Sequence, residues 1–156
     1  MNNKELIEKF YTSFSEGNAS EMNACYHKDI VFQDPAFGIL KGERAMKMWK
    51  MLLSNKKAGL EVTFSNIQTT SNAGSADWVA EYTYGKRKVI NKIHAEFKFK
   101  EGKISEHTDT FNIWKWSKQA LGGIGYVLGW TPFMKNKIQK MTNRKLDYFI
   151  KKANAV

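Results

Sequence analysis

The spacing of apolar residues changes at about residue 60, and this change constrains the fold more than any other feature of the sequence. Earlier in the chain, apolar residues recur every three to four positions, which is typical of amphipathic helices. Over 60–65, 77–82 and 93–99 they alternate with polar residues instead, which is typical of antiparallel strands with one apolar and one wetter face. Glycine-containing turns separate these stretches. The sequence therefore predicts an α+β domain whose helices precede a mainly antiparallel sheet.

The remaining elements fit a single domain, because 156 residues are enough for one core and too few for two. Helices are predicted over 3–16, 19–26, 41–53, 118–128 and 132–152. A short strand is expected at 30–32, and the last long strand at 104–116. We expect residues 1–117 to form the domain and residues 118–156 to form a C-terminal helical extension packed on it.

Composition and motifs argue against several classes of protein. Cys25 is the only cysteine, so no intramolecular disulfide can form, and we expect a cytoplasmic location. Residues 1–5 lead directly into a helical pattern without the apolar core of a signal peptide, and the weakly apolar stretch 120–130 is too short to cross a bilayer. The three histidines show no metal-ligand spacing, and no glycine-rich phosphate or dinucleotide motif occurs. We therefore expect neither a metal nor a cofactor.

The positive charge of the chain is concentrated near its C-terminus. The formal net charge is +10, and the segment 135–152 contains seven basic residues and one acid, while a smaller basic cluster lies at 86–88. We interpret the basic helix as a solvated face, so neither nucleic acid nor a membrane is an expected partner. A basic interaction module remains an alternative, since such charge permits weak binding to nucleic acid or anionic lipid.

Four segments in chain order carry a resemblance to a known superfamily. They are 10–18, a helix that ends at Gly-Asn; 30–38, which contains Asp-Pro and then glycine; 41–45, the start of a helix; and 102–109, with the pattern Gly-Lys-Ile followed by His-x-Asp. In this order they resemble the SnoaL-like domains of the nuclear-transport-factor-2-like superfamily, which has the ketosteroid-isomerase-like fold. The resemblance implies a curved, mixed, mainly antiparallel sheet that N-terminal helices wrap into a cone. It also implies a pocket for a small apolar molecule, and a homodimer.

Two polar residues of the last predicted strand are expected to point inward. The alternation places His107 and Asp109 on the same face as Phe111 and Ile113. Burying a histidine and an aspartate is costly unless they are paired or used in chemistry. In the resemblance, Asp109 corresponds to the acid/base aspartate of SnoaL-like cyclases.

A third candidate, Asp34, stands directly before Pro35 and corresponds in the resemblance to the general base of ketosteroid isomerase. The predicted catalytic residues are therefore Asp34, His107 and Asp109. The predicted ligand-binding residues are aromatic: Tyr11, Phe32, Trp49, Tyr82 and Phe111. A carboxylate among such side chains has a pKa shifted toward neutrality, which suits it to proton transfer. The alternative is that His107 and Asp109 form a satisfied polar pair in the core and that Asp34 caps a turn.

The resemblance also argues against two particular reactions. The oxyanion donors that steroid isomerisation needs correspond here to Phe10 and Ala95, although Tyr11 is adjacent to the first position. Limonene-epoxide hydrolase needs an arginine between two aspartates, and none of the three arginines here is predicted in a strand interior. A dehydratase remains open.

Three functions are consistent with the sequence. The first is a cofactor-free acid/base enzyme of isomerase, cyclase, dehydratase or hydrolase type, acting on a small apolar oxygenated substrate. The second is a non-catalytic binding domain for an apolar ligand, and the third is the basic interaction module. For the homodimer, the outer face of the last predicted strand offers Thr108, Thr110, Asn112 and Trp114 as the expected interface.

Overall fold

The computed structural model describes residues 1–54 and 59–155, and this part of the chain contains six helices and six strands. In chain order they are α1 Asn3–Ser15, α2 Ala19–Ala24, β1 Tyr26–Asp34, β2 Gly38–Lys41, α3 Glu43–Ser54, β3 Glu61–Thr69, β4 Ala73–Tyr84, β5 Arg87–Lys100, β6 Lys103–Thr110, α4 Ile113–Leu121, α5 Gly123–Leu128 and α6 Pro132–Asn154. No helix within these residues is long and apolar enough to span a membrane.

The six strands form one curved sheet in the order β2-β1-β6-β5-β4-β3. Neighbouring strands are antiparallel except β1 and β6, which run parallel and pair Phe32 with His107. The strands β3 to β6 form a meander, whereas β1 enters the sheet from the helical N-terminal part and adds to its last strand. The predicted α+β fold with a mixed, mainly antiparallel sheet is confirmed.

The N-terminal helices cover the inner face of this sheet because their apolar residues recur on one side. Helix α1 begins with a capping box, in which the Asn2 side chain accepts from the Glu5 amide and the Glu5 carboxylate accepts from the Asn2 amide. Its buried side chains are Leu6, Ile7, Phe10, Tyr11, Ser13 and Phe14. Helix α3 adds Trp49 and Met48 to the same core. The core therefore lies between α1, α3 and the sheet.

The last strand is shorter than predicted, and this changes the position of two residues. Strand β6 ends at Thr110, and the Asn112 side chain caps α4 by accepting from the Lys115 amide at 3.0 Å. The prediction that Asn112 and Trp114 lie on the outer face of the strand is wrong, because the cap starts a helix that contains Trp114. The homodimer stays a prediction.

Two further boundaries differ from the sequence prediction. Strand β1 spans nine residues instead of the expected 30–32, since it pairs with β2 on one side and with β6 on the other. The predicted division at residue 117 falls inside α4, where Ser117 is completely buried. The division into a domain of residues 1–117 and a C-terminal extension packed on it stays a prediction.

The C-terminal helices build a second, smaller apolar cluster against the sheet. Its buried members are Val89, Trp116, Ala120, Met134 and Ile138. Helix α6 also binds the turn between β1 and β2 through three side chains. Gln139 Nε2 donates to the Pro35 carbonyl, Thr142 Oγ1 to the Ala36 carbonyl, and Asn143 Nδ2 to the Phe37 carbonyl, at 3.1, 2.7 and 2.9 Å. The turn that follows Asp34 is thereby held under α6.

Helix α5 lies directly against the backbone of α4 because of a glycine. A Cβ atom at Gly125 would lie 2.0 Å from the Ser117 carbonyl oxygen, a distance that no side chain tolerates. By contrast, a Cβ atom at Gly123, in the same helix, would meet nothing within 4 Å.

We expect Gly125→Ala to lower the free energy of unfolding by about 1–3 kcal/mol, because the added methyl group forces α5 away from α4. Gly123→Ala is the matched control, and it should be neutral or slightly stabilising because alanine favours the helix. Urea denaturation of both variants checks this. Equal stability of the two would show that α5 does not dock in this way.

Candidate acid–base site

The three predicted catalytic side chains lie along the parallel pair β1–β6. Phe32 is paired with His107 and Gln33 with Thr108. Asp34 and Asp109 are the next residues along the two strands, so they lie at the same level of the sheet. Because side chains alternate between faces, both aspartates point to the face that carries Phe32 and His107. Neighbouring strands are about 4.8 Å apart, so the two carboxyl groups are close.

His107 is enclosed by aromatic rings and has no accessible surface. Its imidazole centroid lies 4.6 Å from that of Phe97, 5.2 Å from Phe32, 5.4 Å from Phe10 and 6.0 Å from Trp49. The imidazole is therefore not exposed to solvent. Phe32 and Trp49, predicted as ligand-binding residues, form part of this enclosure, and their role in ligand binding stays a prediction.

Both nitrogens of His107 are hydrogen-bonded in a chain of buried polar groups. Trp49 Nε1 donates to the Tyr26 hydroxyl at 2.9 Å, and this hydroxyl lies 2.7 Å from His107 Nδ1. His107 Nε2 lies 2.9 Å from Asp109 Oδ1, which also accepts from Trp78 Nε1 at 3.2 Å. An ionised Asp109 accepts only, so the proton belongs on His107 Nε2, and the Tyr26 hydroxyl then donates to Nδ1. The chain directs its donors toward Asp109 and fixes the orientation of this carboxylate.

We expect Tyr26→Phe to lower the free energy of unfolding by about 1–3 kcal/mol, because it leaves the Trp49 N–H and His107 Nδ1 buried without partners. Tyr148→Phe is the control, since Tyr148 is 70% exposed and should change stability by less than about 0.5 kcal/mol. Urea denaturation measures both. A neutral Tyr26→Phe would show that the hydroxyl adds nothing to the network.

The pKa of Asp34 is shifted toward neutrality. Burial raises the pKa of its carboxyl group, the Phe37 amide that donates to Oδ1 at 2.6 Å lowers it, and the charge of Asp109 raises it again, while the Ala36 amide lowers it. The resulting pKa is about 7, compared with 3.8 for an unperturbed aspartate. Asp34 therefore exchanges a proton near neutral pH. The hydrogen bond from the Phe37 amide also makes Asp34 the cap of the turn after β1. The same carboxyl group can therefore cap the turn and exchange a proton.

The raised pKa of Asp34 predicts a particular pH dependence of stability. The folded state holds a proton that the unfolded state has lost between about pH 4 and 7, so this contribution to stability is complete below pH 4 and is lost as the pH rises toward 7. Asp34→Asn keeps the acceptor for Phe37 and removes the ionisation. The variant should be more stable than the wild type at pH 8, by up to about 4 kcal/mol, with no such gain at pH 4. Urea denaturation across this range tests it, and a constant difference would contradict the burial of the carboxyl group.

The side chain of Tyr11 places a further hydroxyl group in the buried core. Its side chain is completely buried, and within the described residues its hydroxyl has no hydrogen-bond partner. Burial raises the pKa of Tyr11 well above its usual value, and the charge of Asp109 raises it further. The phenol is therefore protonated and lies within the field of Asp109.

The two other predicted ligand-binding residues lie between the main core and the C-terminal cluster. Tyr82 is half-buried and accepts from Trp116 Nε1 at 2.6 Å. Burial raises the pKa of Tyr82, the bond from Trp116 lowers it, and the charges of Tyr84 and Asp34 raise it. Phe111 is half-buried and packs against both clusters. Tyr82 therefore lies within the electrostatic reach of Asp34.

Sequence reasoning missed two members of the network, Tyr26 and Trp78. Tyr26 was placed in the second helix, although it begins β1. Trp78 lies in the alternating stretch 77–82. A buried tryptophan needs an acceptor for its indole N–H, and this need is the signal that could have identified it. In the described residues no group of three or more histidine, cysteine or acidic side chains could hold a metal.

Two surface cavities lie away from these residues. The first, about 390 Å³, is lined by Lys86, Arg87, Lys88, Lys118, Gln119 and Tyr126. The second, about 240 Å³, is lined by residues of the first helix and of the third helix with its following loop, among them Phe14 and Leu53. Neither cavity contains Asp34 or Asp109, whose surroundings are closed on one side by α6.

Comparison with known proteins agrees with the fold. An "LEH-like epoxide hydrolase" from M. tuberculosis superposes with a TM-score of 0.61 at 20% identity, covering 77% of this chain and 90% of that one. A putative polyketide cyclase from Pseudomonas putida gives 0.65 at 16% identity, covering 77% and 98%. A protein with a ketosteroid isomerase-like fold from Catenulispora acidiphila, in complex with trimethylamine, gives 0.64 at 14% identity, covering 82% and 98%.

These identities establish similarity of fold alone. No curated protein matches the chain. The model of the SnoaL-like domain family, however, matches residues 7–107, which is more than half of the sequence. This match includes the helices that cover the sheet, Asp34 and His107, and it ends two residues before Asp109. The chain belongs to the SnoaL-like domain family.

Proposed function

We propose that the protein is a cofactor-free acid–base enzyme that transfers a proton on a small, mostly apolar molecule carrying a carbonyl or hydroxyl group. The observation that carries the proposal is the placement of Asp34 and Asp109 at the same level of two paired strands, on one buried face. Two carboxyl groups in different environments divide acid and base roles between them. Asp109 is fixed by two N–H donors, whereas Asp34 exchanges its proton near neutral pH.

The proposed step is proton transfer beside a carbonyl group. Asp34 removes a proton from the carbon next to the carbonyl, the electron pair of the broken C–H bond moves into the new C=C bond, and negative charge develops on the oxygen. The buried hydroxyl of Tyr11 is free to donate a hydrogen bond to this oxygen. In a substrate with a C=C bond next to that carbon, protonated Asp34 then returns the proton to the far carbon of this bond while the C=O bond re-forms, so that atoms and charge balance without a cofactor.

His107 acts through Asp109 in this proposal and does not touch the substrate. Both of its ring nitrogens already have partners, the Tyr26 hydroxyl at Nδ1 and Asp109 Oδ1 at Nε2. The negative charge of Asp109 contributes to the raised pKa of Asp34. His107 is therefore a positioning residue that keeps Asp109 oriented toward Asp34.

Isomerase or cyclase chemistry fits these residues better than epoxide hydrolysis. Arg44 binds Asp147 and Asn143, and Arg87 binds the Gln119 carbonyl. Arg144 is exposed on α6. None of the three arginines stands between Asp34 and Asp109, and the likeness to an epoxide hydrolase at 20% identity extends to fold alone.

A non-catalytic domain for an apolar ligand is the second candidate. It is favoured by the complete hydrogen bonding of His107 and by α6, which covers the turn after Asp34. In such a domain the polar chain only stabilises the core, and the proton of Asp34 is not transferred to the ligand.

Deuterium exchange separates these candidates. In heavy water, the wild-type protein should accelerate exchange at the carbon next to the carbonyl in a panel of small cyclic ketones and enones, as followed by NMR. Asp34→Asn should reduce this rate by about 10²–10⁴-fold, because it removes the acid–base group. Asp109→Asn should also reduce the rate, because it removes the charge that helps to raise the pKa of Asp34. The wild-type rate should rise as the pH passes through about 7, where Asp34 becomes the base.

Glu106→Gln is the matched control, because Glu106 is an exposed carboxylate on β6 that pairs with Lys98 on the opposite side from Asp109. It should leave the rate unchanged. If both aspartate variants retained the wild-type rate, the proposed chemistry would be wrong. Ketones that raise the melting temperature without exchanging deuterium would identify the binding domain instead.

A further inference from the structure

Apolar side chains are exposed along a continuous segment that contains α5 and the first residues of α6. We call this group the apolar patch, and its members are Ile124, Tyr126, Val127, Leu128, Trp130 and Phe133. Five of them, including Trp130 and Phe133, are more than 60% exposed. Contiguous exposed apolar surface of this kind marks an interaction site.

The fold itself keeps these side chains in solvent. Gly125 and Gly129 face α4, where a Cβ atom at either position would collide with backbone or with Ser117. The side chains on the remaining positions of α5 must therefore point away from α4. Trp130 Nε1 donates to the Val127 carbonyl at 3.1 Å, and Thr131 caps α6 by accepting from the Met134 amide. The patch is a fixed surface between α5 and the first turn of α6.

The surroundings of the patch are positively charged. From Thr110 to Leu146 the sequence contains seven lysine and arginine residues and no aspartate or glutamate. Lys118 Nζ lies 4.1 Å above the Trp114 ring and 5.5 Å from that of Tyr126. The ligand of this surface therefore combines an apolar part with negative charge.

The basic cavity adjoins the patch through Tyr126. Lys86, Arg87, Lys88 and Lys118 line it, and its volume of about 390 Å³ has room for a phosphate-bearing group. One acidic residue, Glu81, lies 3.6 Å from Lys88 and offsets part of this charge. Cations around an apolar group with interfacial tryptophan and tyrosine match the chemistry of a lipid bilayer with anionic headgroups.

We propose that this face binds the surface of a bilayer rich in anionic phospholipid. The apolar patch enters the boundary between headgroups and acyl chains, and the surrounding lysines contact phosphate groups. A second copy of the chain is a poor occupant, because two such faces would bring like charges together. The charge of the basic helix alone indicates a solvated face. The apolar patch beside this helix favours a bilayer surface as the partner.

Co-sedimentation with vesicles tests the proposal. The wild-type protein should sediment with vesicles of phosphatidylglycerol and phosphatidylcholine, bind pure phosphatidylcholine at least about tenfold more weakly, and dissociate as the salt concentration rises. Trp130→Ser combined with Phe133→Ser should weaken binding to the anionic vesicles at least about tenfold, since the inserted side chains are lost.

Tyr148→Ser is the matched control for the apolar residues. Tyr148 is 70% exposed on the same helix, about 22 Å along the axis from Phe133, and its loss should not alter vesicle binding. For the charges, Lys86→Gln with Lys118→Gln should weaken binding about tenfold. Lys50→Gln with Lys100→Gln changes the net charge equally at distant exposed positions and should have a much smaller effect.

Several results would overturn the proposal. One is no sedimentation with anionic vesicles at low salt, and another is equal binding to phosphatidylcholine. Displacement from vesicles by inorganic phosphate, at constant ionic strength, would instead identify the cavity as a site for a free anion. Binding to DNA or RNA that the Trp130 and Phe133 substitutions leave unchanged, with no vesicle binding, would assign the charge to nucleic acid. If these substitutions converted a dimer into a monomer in analytical ultracentrifugation, the patch would be a subunit interface.

Discussion

The parallel pairing of β1 with β6 is the constraint on which the site depends. The other neighbouring strands in the sheet are antiparallel, and β3 to β6 follow one another as a meander. Without β1, the inner side of β6 would expose His107 and Asp109 at the edge of the sheet. The parallel register places Phe32 over His107 and brings Asp34 to the level of Asp109. One strand pairing thus encloses the imidazole and assembles the two carboxyl groups.

Burial of the polar chain around His107 is tolerated because each donor in it has an acceptor. The Trp49 N–H donates to the Tyr26 hydroxyl, and this chain of hydrogen bonds continues through His107 to Asp109. The Trp78 N–H donates to Asp109 separately. A buried carboxylate without such donors would cost several kcal/mol. The network therefore stabilises the charge of Asp109, and this charge in turn disfavours ionisation of Asp34. Burial is the largest cause of the raised pKa of Asp34, and the charge of Asp109 adds to it.

Residue patterns predicted the elements whose formation is local. The two-residue period of β3 to β5 and the inward direction of His107 and Asp109 could be read directly, because a strand determines its own alternation. The end of β6 at Thr110 could not be predicted in this way. The apparent alternation continues beyond residue 110, but Asn112 caps a helix there and ends the strand. Tyr26 was missed because its role depends on partners 23 and 81 positions away. The cover over Asp34 was missed for the same reason, as α6 reaches the turn through residues more than 100 positions distant.

Helix α6 connects the two functional proposals within one rigid element. Phe133 of the apolar patch lies in its first turn, and Asn143, which holds the Phe37 carbonyl, lies about 15 Å further along its axis. A mostly apolar substrate of the proposed reaction partitions into bilayers, so a protein bound to that surface meets it at a higher local concentration than in water. The proposals nevertheless rest on separate residues. Asp34→Asn removes the proton exchange and leaves the patch intact, whereas the serine substitutions at Trp130 and Phe133 remove the patch and leave the carboxyl pair unchanged. Vesicle binding and deuterium exchange therefore report on the two proposals independently.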